Sequence, residues 1–433
     1  MRDKASRIRR APTRRRLIQA VTEVAANRGY SDLSVAQVIE RAGVSRSTFY
    51  EHFADRDECF LAALDHLGLE LIERLEAVEP GSRGPGPLIE ALCEHLEDHP
   101  AASRVLFMES LAAGAEAMEF RDQLQRRVSV SIVVASQIEP IEEHESPTVL
   151  DDLIGGLFRL FAMRLRHDPA SGAEALSPAE LAVWVESYAA VLNRPSRQPS
   201  AALVQKNARP TETYELKTLP ASRHRLTEAE VEMNQRVRVF SAIAGLSQDS
   251  GYARTSVAEI TAEARVSRNA FYRLFRGKSD AANQALELML EQVIGACASA
   301  FTSVSSWAER IWSAAGAFAS FFSTAPDYSY LGLVETHSVG DEMIQLIYDR
   351  LGAFALFLEE GYRLRPQSEA LPRISSEAIG ATMYEIAYRA LRERRRPEWY
   401  TEFLPQFVFI CIVPFMGHEA ALTFLTERDQ EGQ

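Results

Sequence analysis

Apolar positions recur every three or four residues along most of this 433-residue chain, and no stretch alternates apolar and polar as a half-buried strand does. The pattern predicts an all-α protein. From Thr13 to Asn27, the residues Leu17, Ala20, Val21, Val24 and Ala25 form one helical face, closed by Arg28-Gly29-Tyr30. Between Ser34 and Arg41 a second face is made by Val35, Val38 and Ile39, with Ser34 and Gln37 placed as a capping box. Ala42-Gly43-Val44 breaks this helix, and Gly43 can take the left-handed conformation a sharp turn needs. Ser45 then caps a third, short helix. On it Phe49 and Phe53 share a buried face, leaving Arg46, Ser47, Thr48, Tyr50 and His52 outside.

This device occurs twice. With a constant shift of 222, residues 29–53 and 251–275 agree at 12 of 25 positions, with no gap. VSRSTFYEHF at 44–53 returns as VSRNAFYRLF at 266–275. Two short helices joined by a tight turn make a helix-turn-helix, whose second helix enters the DNA major groove with its N-terminal residues at the base edges. An ordinary helical hairpin with a solvated outer face would share the spacing. Recurrence of the order Val-Ser-Arg-x-x-Phe-Tyr favours DNA.

The copies differ at instructive positions. Arg265 stands where Gly43 stood, so the second turn must either avoid the left-handed region or accept strain there. Asn269 and Ala270 replace Ser47 and Thr48, and Leu274 replaces His52. The two heads should therefore prefer different bases, Asn269 being able to pair bidentately with adenine. A second head decayed to a structural remnant is the competing reading.

Beyond the heads, Pro/Gly turns separate helical blocks at 56–78, 86–98, 101–113, 116–138, 148–167 and 178–193 in the first half. The second half shows blocks at 279–302, 305–324, 326–337, 340–363, 374–395 and 399–427. Pro195, Pro199, Pro210 and Pro220, with few large apolar residues around them, mark 195–225 as a linker. The domain division is then 1–56 and 226–278 for the heads, 57–194 and 279–433 for two larger helical domains.

Charge sharpens this picture. The whole chain carries −13, yet residues 1–56 carry +6 and residues 222–278 carry +4. Cations concentrate where phosphates would be met. The arm from Arg2 to Arg16 could follow phosphates or a minor groove, a solvated tail being the plain alternative for residues 1–11. Arg14 to Arg16 begin the first helix and are better placed to meet phosphate. Arg392 and Arg394 to Arg396 read as a solvated helix end. The acidic run 139–145 around His144 reads as a solvated loop.

Cys59, Cys93, Cys297 and Cys411 are far apart on apolar segments and read as reduced core thiols. Neither a secretory signal nor a membrane-length apolar run is present, so a cytoplasmic location is expected. Motifs of metallopeptidases, P-loop enzymes and serine hydrolases are lacking, so neither catalysis nor a cofactor is expected.

AQVIERAGVSRSTFYEHFADRDE, at 36–58, resembles the DNA-binding domain of the tetracycline-repressor (TetR) family of transcriptional regulators, and the second copy resembles a more diverged member. The resemblance implies a three-helix head, a helical domain for ligand binding and dimerisation, and normally a homodimer on a near-palindromic operator. In one chain it implies two tandem units packed as an intrachain pseudo-dimer, with further self-association open. It places Arg56 as a phosphate clamp at a helix N-terminus, and a dimer face on Leu153, Leu157, Leu160, Phe161 and Met163 with Leu181, Val185, Tyr188 and Leu192.

The expected DNA-contacting set is thus Ser34, Ser45, Arg46, Ser47, Thr48, Tyr50, His52 and Arg56 in the first head. In the second it is Ser256, Ser267, Arg268, Asn269, Tyr272, Arg273 and Lys278. Residues 279–433 hold 21 aromatic residues against 7 in residues 57–200, which favours the second half as the seat of a small hydrophobic or aromatic effector. Trp307, Trp312, Phe318, Phe322, Tyr330, Tyr384 and Tyr388 are the pocket candidates. The function expected is a sequence-specific repressor released by its effector. The alternative is a protein-interaction regulator with a degenerate second head.

Overall fold

In the computed structural model, residues 2–79, 84–136, 148–166, 176–192, 227–364, 371–392 and 404–432 are described, with side chains from Pro12 to Arg428. The linker 195–225, the acidic run at 139–145 and Arg394 to Arg396 lie outside them. The chain divides into two compact units, residues 1–195 and 196–433. Among the described residues every regular element is helical.

The first unit opens with α1 (Arg2–Arg28), α2 (Val35–Ala42) and α3 (Arg46–Tyr50). They pack where the apolar pattern places them: Leu17, Val21, Val38 and Phe49 are wholly buried, and Phe53 nearly so. The larger domain follows as α4 (Arg56–Glu76), α5 (Gly86–Asp98), α6 (Pro100–Ser103), α7 (Ala115–Ala135), α8 (Val149–Arg166) and α9 (Pro178–Glu186). The block expected as one helix at 101–113 is instead α6, a π-helical turn at Arg104–Met108 and a 3₁₀ turn at Glu109–Leu111. Local widening of this kind marks a place where tertiary contacts override the regular hydrogen-bond ladder.

The second unit repeats the plan with α10 (Glu228–Ser250), α11 (Val257–Glu263) and α12 (Arg268–Leu274). There follow α13 (Lys278–Phe301), α14 (Trp307–Thr324), α15 (Pro326–Leu333), α16 (Thr336–Val339) and α17 (Asp341–Leu358). The unit closes with α18 (Ile374–Arg392), α19 (Leu404–Met416) and α20 (His418–Gly432). No described helix is long and apolar enough to cross a membrane. All four cysteines are free and buried, and burial pushes each thiol up to about 12.

The two turns resolve the glycine question directly. Gly43 ends α2 at φ 62°, and Arg265 takes the same place at φ 52° as the only non-glycine with positive φ among the described residues. Both turns close with the same pair of bonds: Gly43 N–H to Glu40 and Val44 N–H to Ile39 in one, Arg265 N–H to Ala262 and Val266 N–H to Thr261 in the other. The second turn thus keeps its geometry and carries the steric cost of a Cβ in the left-handed region. Arg265→Gly is expected to stabilise the second unit by about 1 kcal/mol, read as a rise in its urea midpoint at unchanged slope. An unmoved midpoint would show that the strain is relieved elsewhere.

Candidate nucleic-acid interface

Each reading helix begins on a serine cap. The Ser45 Oγ accepts from the Thr48 N–H at 3.1 Å, and the Ser267 Oγ accepts from the Ala270 N–H at 3.2 Å. Behind the caps, Phe49 and Phe271 are fully buried against Phe53 and Phe275, with ring centroids 5.9 and 5.2 Å apart. That anchoring turns the remaining face outward. Arg46, Ser47, Arg268 and Asn269 are exposed, and Tyr50 and Tyr272 remain 47% and 52% exposed. Neither Arg46 nor Arg268 has an ion-pair partner among the described residues; Arg46 lies only over the Tyr50 ring at 5.8 Å. Two uncommitted guanidiniums, each one residue past a helix cap, are poised for acceptors on base edges or phosphates.

Other expected contact residues have work inside the heads. Ser34 and Ser256 complete capping boxes, accepting from the N–H of Gln37 and Glu259 and donating to those side chains at 2.7 Å. Arg56 donates to the Leu33 carbonyl at 2.7 Å and lies 4.8 Å over the Tyr30 ring. Lys278, its counterpart, donates to the carbonyls of Tyr252 and Thr255 at 2.8 and 2.9 Å, 4.1 Å from the Tyr252 ring. Burial holds the Lys278 ammonium below its ordinary range, with Glu335 acting the other way. Arg273 bonds back to Gln235 of α10 at 3.4 Å. Thr48 is half-buried, its hydroxyl 2.8 Å from that of Ser45, and His52 is half-buried beside Phe53.

The duplication also reaches upstream of the aligned stretch. Arg14 lies over Phe53 at 5.2 Å, and Arg236, 222 residues on, lies over Phe275 at 5.3 Å. Arg16 donates to the carbonyls of Ala42 and Gly43, while Arg238 donates to that of Arg265 at 3.3 Å. Cations that composition alone assigns to phosphate therefore tie helix 1 of each head to its turn.

A joint between head and larger domain was missed in the sequence. Glu109, buried at the end of the π-helical turn, accepts from the Tyr30 N–H at 2.8 Å, directly under the turn at Gly29. In the second unit Glu335 accepts from the Tyr252 N–H under Gly251. Burial pushes the Glu335 carboxyl up, opposed by Ser338, that N–H, Arg254 and Lys278. The signal was present: Pro-x-x-Ser-x₅-Glu-Ser at 100–110 returns as Pro-x-x-Ser-x₅-Glu-Thr at 326–336, shifted by 226 instead of 222. The segments carrying these glutamates pack along α1 and α10 respectively.

Of the effector candidates, Phe318, Phe322 and Tyr384 line one cavity inside the second unit, between α13, α14, α15, α17 and α18. Met289, Phe321, Ile347, Arg350, Phe354 and Met383 also line it and were not anticipated. Trp307 packs on Phe415 and donates to the Phe357 carbonyl at 3.0 Å, and Trp312 packs on Phe424. Tyr388 is buried under Arg392, and Tyr330 is half-buried on α15. A smaller cavity adjoins the first, sharing Phe318, Phe354, Gly380 and Met383 as walls and reaching Cys297 and Cys411.

A capped helix with an exposed polar N-terminus, held on a two-helix scaffold by one buried phenylalanine and present twice, defines a DNA-binding regulator with tandem helix-turn-helix domains. The sequence model of bacterial regulatory proteins, tetR family, matches residues 17–63 and again residues 239–283. Each half of the chain therefore carries a DNA-binding domain of the tetR family.

Proposed function

We propose that this protein is a transcriptional repressor whose two non-identical heads occupy one asymmetric operator, and that a small apolar effector bound in the second unit releases it. The observation that carries the reading is the pair of exposed arginines, Arg46 and Arg268, without ion-pair partners among the described residues and at equivalent places on two serine-capped helices. Ser47 and Thr48 differ from Asn269 and Ala270 beside them, so the half-sites differ in sequence. Domain edges at 56, 194, 225 and 278 separate the heads from the larger domains. Half-sites about 34–36 Å apart, one turn of DNA, would suit heads acting together on one face.

Release is proposed to run through the joint. Gly332 and Leu333 line the cavity, and the Leu333 carbonyl accepts from the Tyr384 hydroxyl at 3.0 Å. Glu335, which holds the second head's turn, lies two residues further on. An occupant that displaces Leu333 therefore loads the Glu335 contact. Selection of bound duplexes from a random pool, followed by footprinting, tests the reading: a protected stretch of two unlike half-sites is expected, with an affinity that falls steeply with salt. Protection of a single half-site would leave the second head as a scaffold remnant, and binding without a salt slope would favour a protein-interaction role.

A further inference from the structure

The larger cavity of the second unit is apolar on nearly every side, with four phenylalanines at 318, 321, 322 and 354. One lining residue breaks the pattern. Arg350, on α17, is half-buried, and among the described residues it forms no hydrogen bond or ion pair. Its neighbour Asp349 accepts from Gln345 at 2.7 Å, and the cavity lining includes no carboxylate. A guanidinium cannot be neutralised by losing its proton, so a site that places one beside an apolar chamber is biased towards anions. The same charge repels ammonium compounds.

We infer that the cavity takes an elongated apolar carboxylate, its hydrocarbon body among the phenylalanines and its carboxylate paired with Arg350. The elongation follows from the adjoining smaller chamber, divided from the first by Phe318, Phe354 and Met383. Methionine and phenylalanine side chains can rotate aside to join the two spaces. The planar fork of the guanidinium matches a carboxylate through two parallel bonds, which a neutral amide cannot reproduce. This inference rests on the reading of the second unit as the effector half.

The test is calorimetric binding to the full chain of four probes: octanoate, octanamide, 4-phenylbutanoate and 4-phenylbutanamide. Each acid is expected to bind about tenfold or more tightly than its amide, as a charge-assisted bidentate pair implies. The acid of the preferred pair shows whether chain or ring fills the chamber better. Arg350→Met should erase the preference for the acid and leave amide binding unchanged, and Arg350→Lys should retain part of it. Equal binding of acid and amide, a preference that survives Arg350→Met, or a folded Arg350→Lys without any preference would each overturn the assignment of Arg350. Failure of all four probes to bind would overturn the effector half itself, a separate outcome.

Discussion

Replacing Phe49 by alanine should cost the first head about 3–5 kcal/mol, the range for deleting a fully buried phenylalanine from a core that cannot close over the space. The ring has no exposed surface, meets Phe53 at 5.9 Å and meets Tyr50 edge-on at 5.4 Å. α3 is only five residues long and holds too few internal bonds to stand without that anchor. Phe271→Ala should cost the second head a similar amount, since Phe271 is equally buried and α12 has only seven residues. Hydrogen exchange at the amides of each head is the measurement. The expected pattern is lost protection in the head that carries the substitution; unchanged protection in either variant would mean the reading helix is held by something other than its phenylalanine.

Arg46→Ala and Arg268→Ala should each weaken operator binding by about 1–3 kcal/mol if the guanidinium reads guanine bidentately. Both side chains are exposed, so neither substitution should disturb folding. Titrations on an operator with one half-site scrambled at a time separate the heads: Arg46→Ala should relax discrimination at one half-site and Arg268→Ala at the other. An Arg268→Ala protein with native affinity and selectivity would remove the second head from the DNA contact.

The helical character, the two heads and the serine caps were legible in the sequence because they rest on local rules: apolar spacing, cap residues and a repeated motif. Arg56 and Lys278 show where local rules stop. Their charge and position at the start of a long helix point to phosphate, whereas the fold gives them carbonyls of Leu33, Tyr252 and Thr255 across 23 to 26 residues of chain. A cation serves either partner equally well, and only the fold decides which is near. Trp307 and Trp312 illustrate the same limit for the cavity. Aromatic abundance locates the second unit, but which ring faces an opening depends on helix packing that spacing alone does not encode. Arg350 was overlooked for a related reason, since a lone arginine on an amphipathic helix ordinarily belongs to the solvated side.

The glutamates at 109 and 335 each accept from a main-chain amide of their head, that of Tyr30 and that of Tyr252. Such a grip is blind to residue identity at the position it holds and to every base-reading residue beyond. Substitutions on the exposed face of either short helix can therefore accumulate while the bond between head and larger domain stays intact. Divergence between SRSTFY and SRNAFY leaves both bonds untouched, because the side chains that differ and the amides that are held are different atoms.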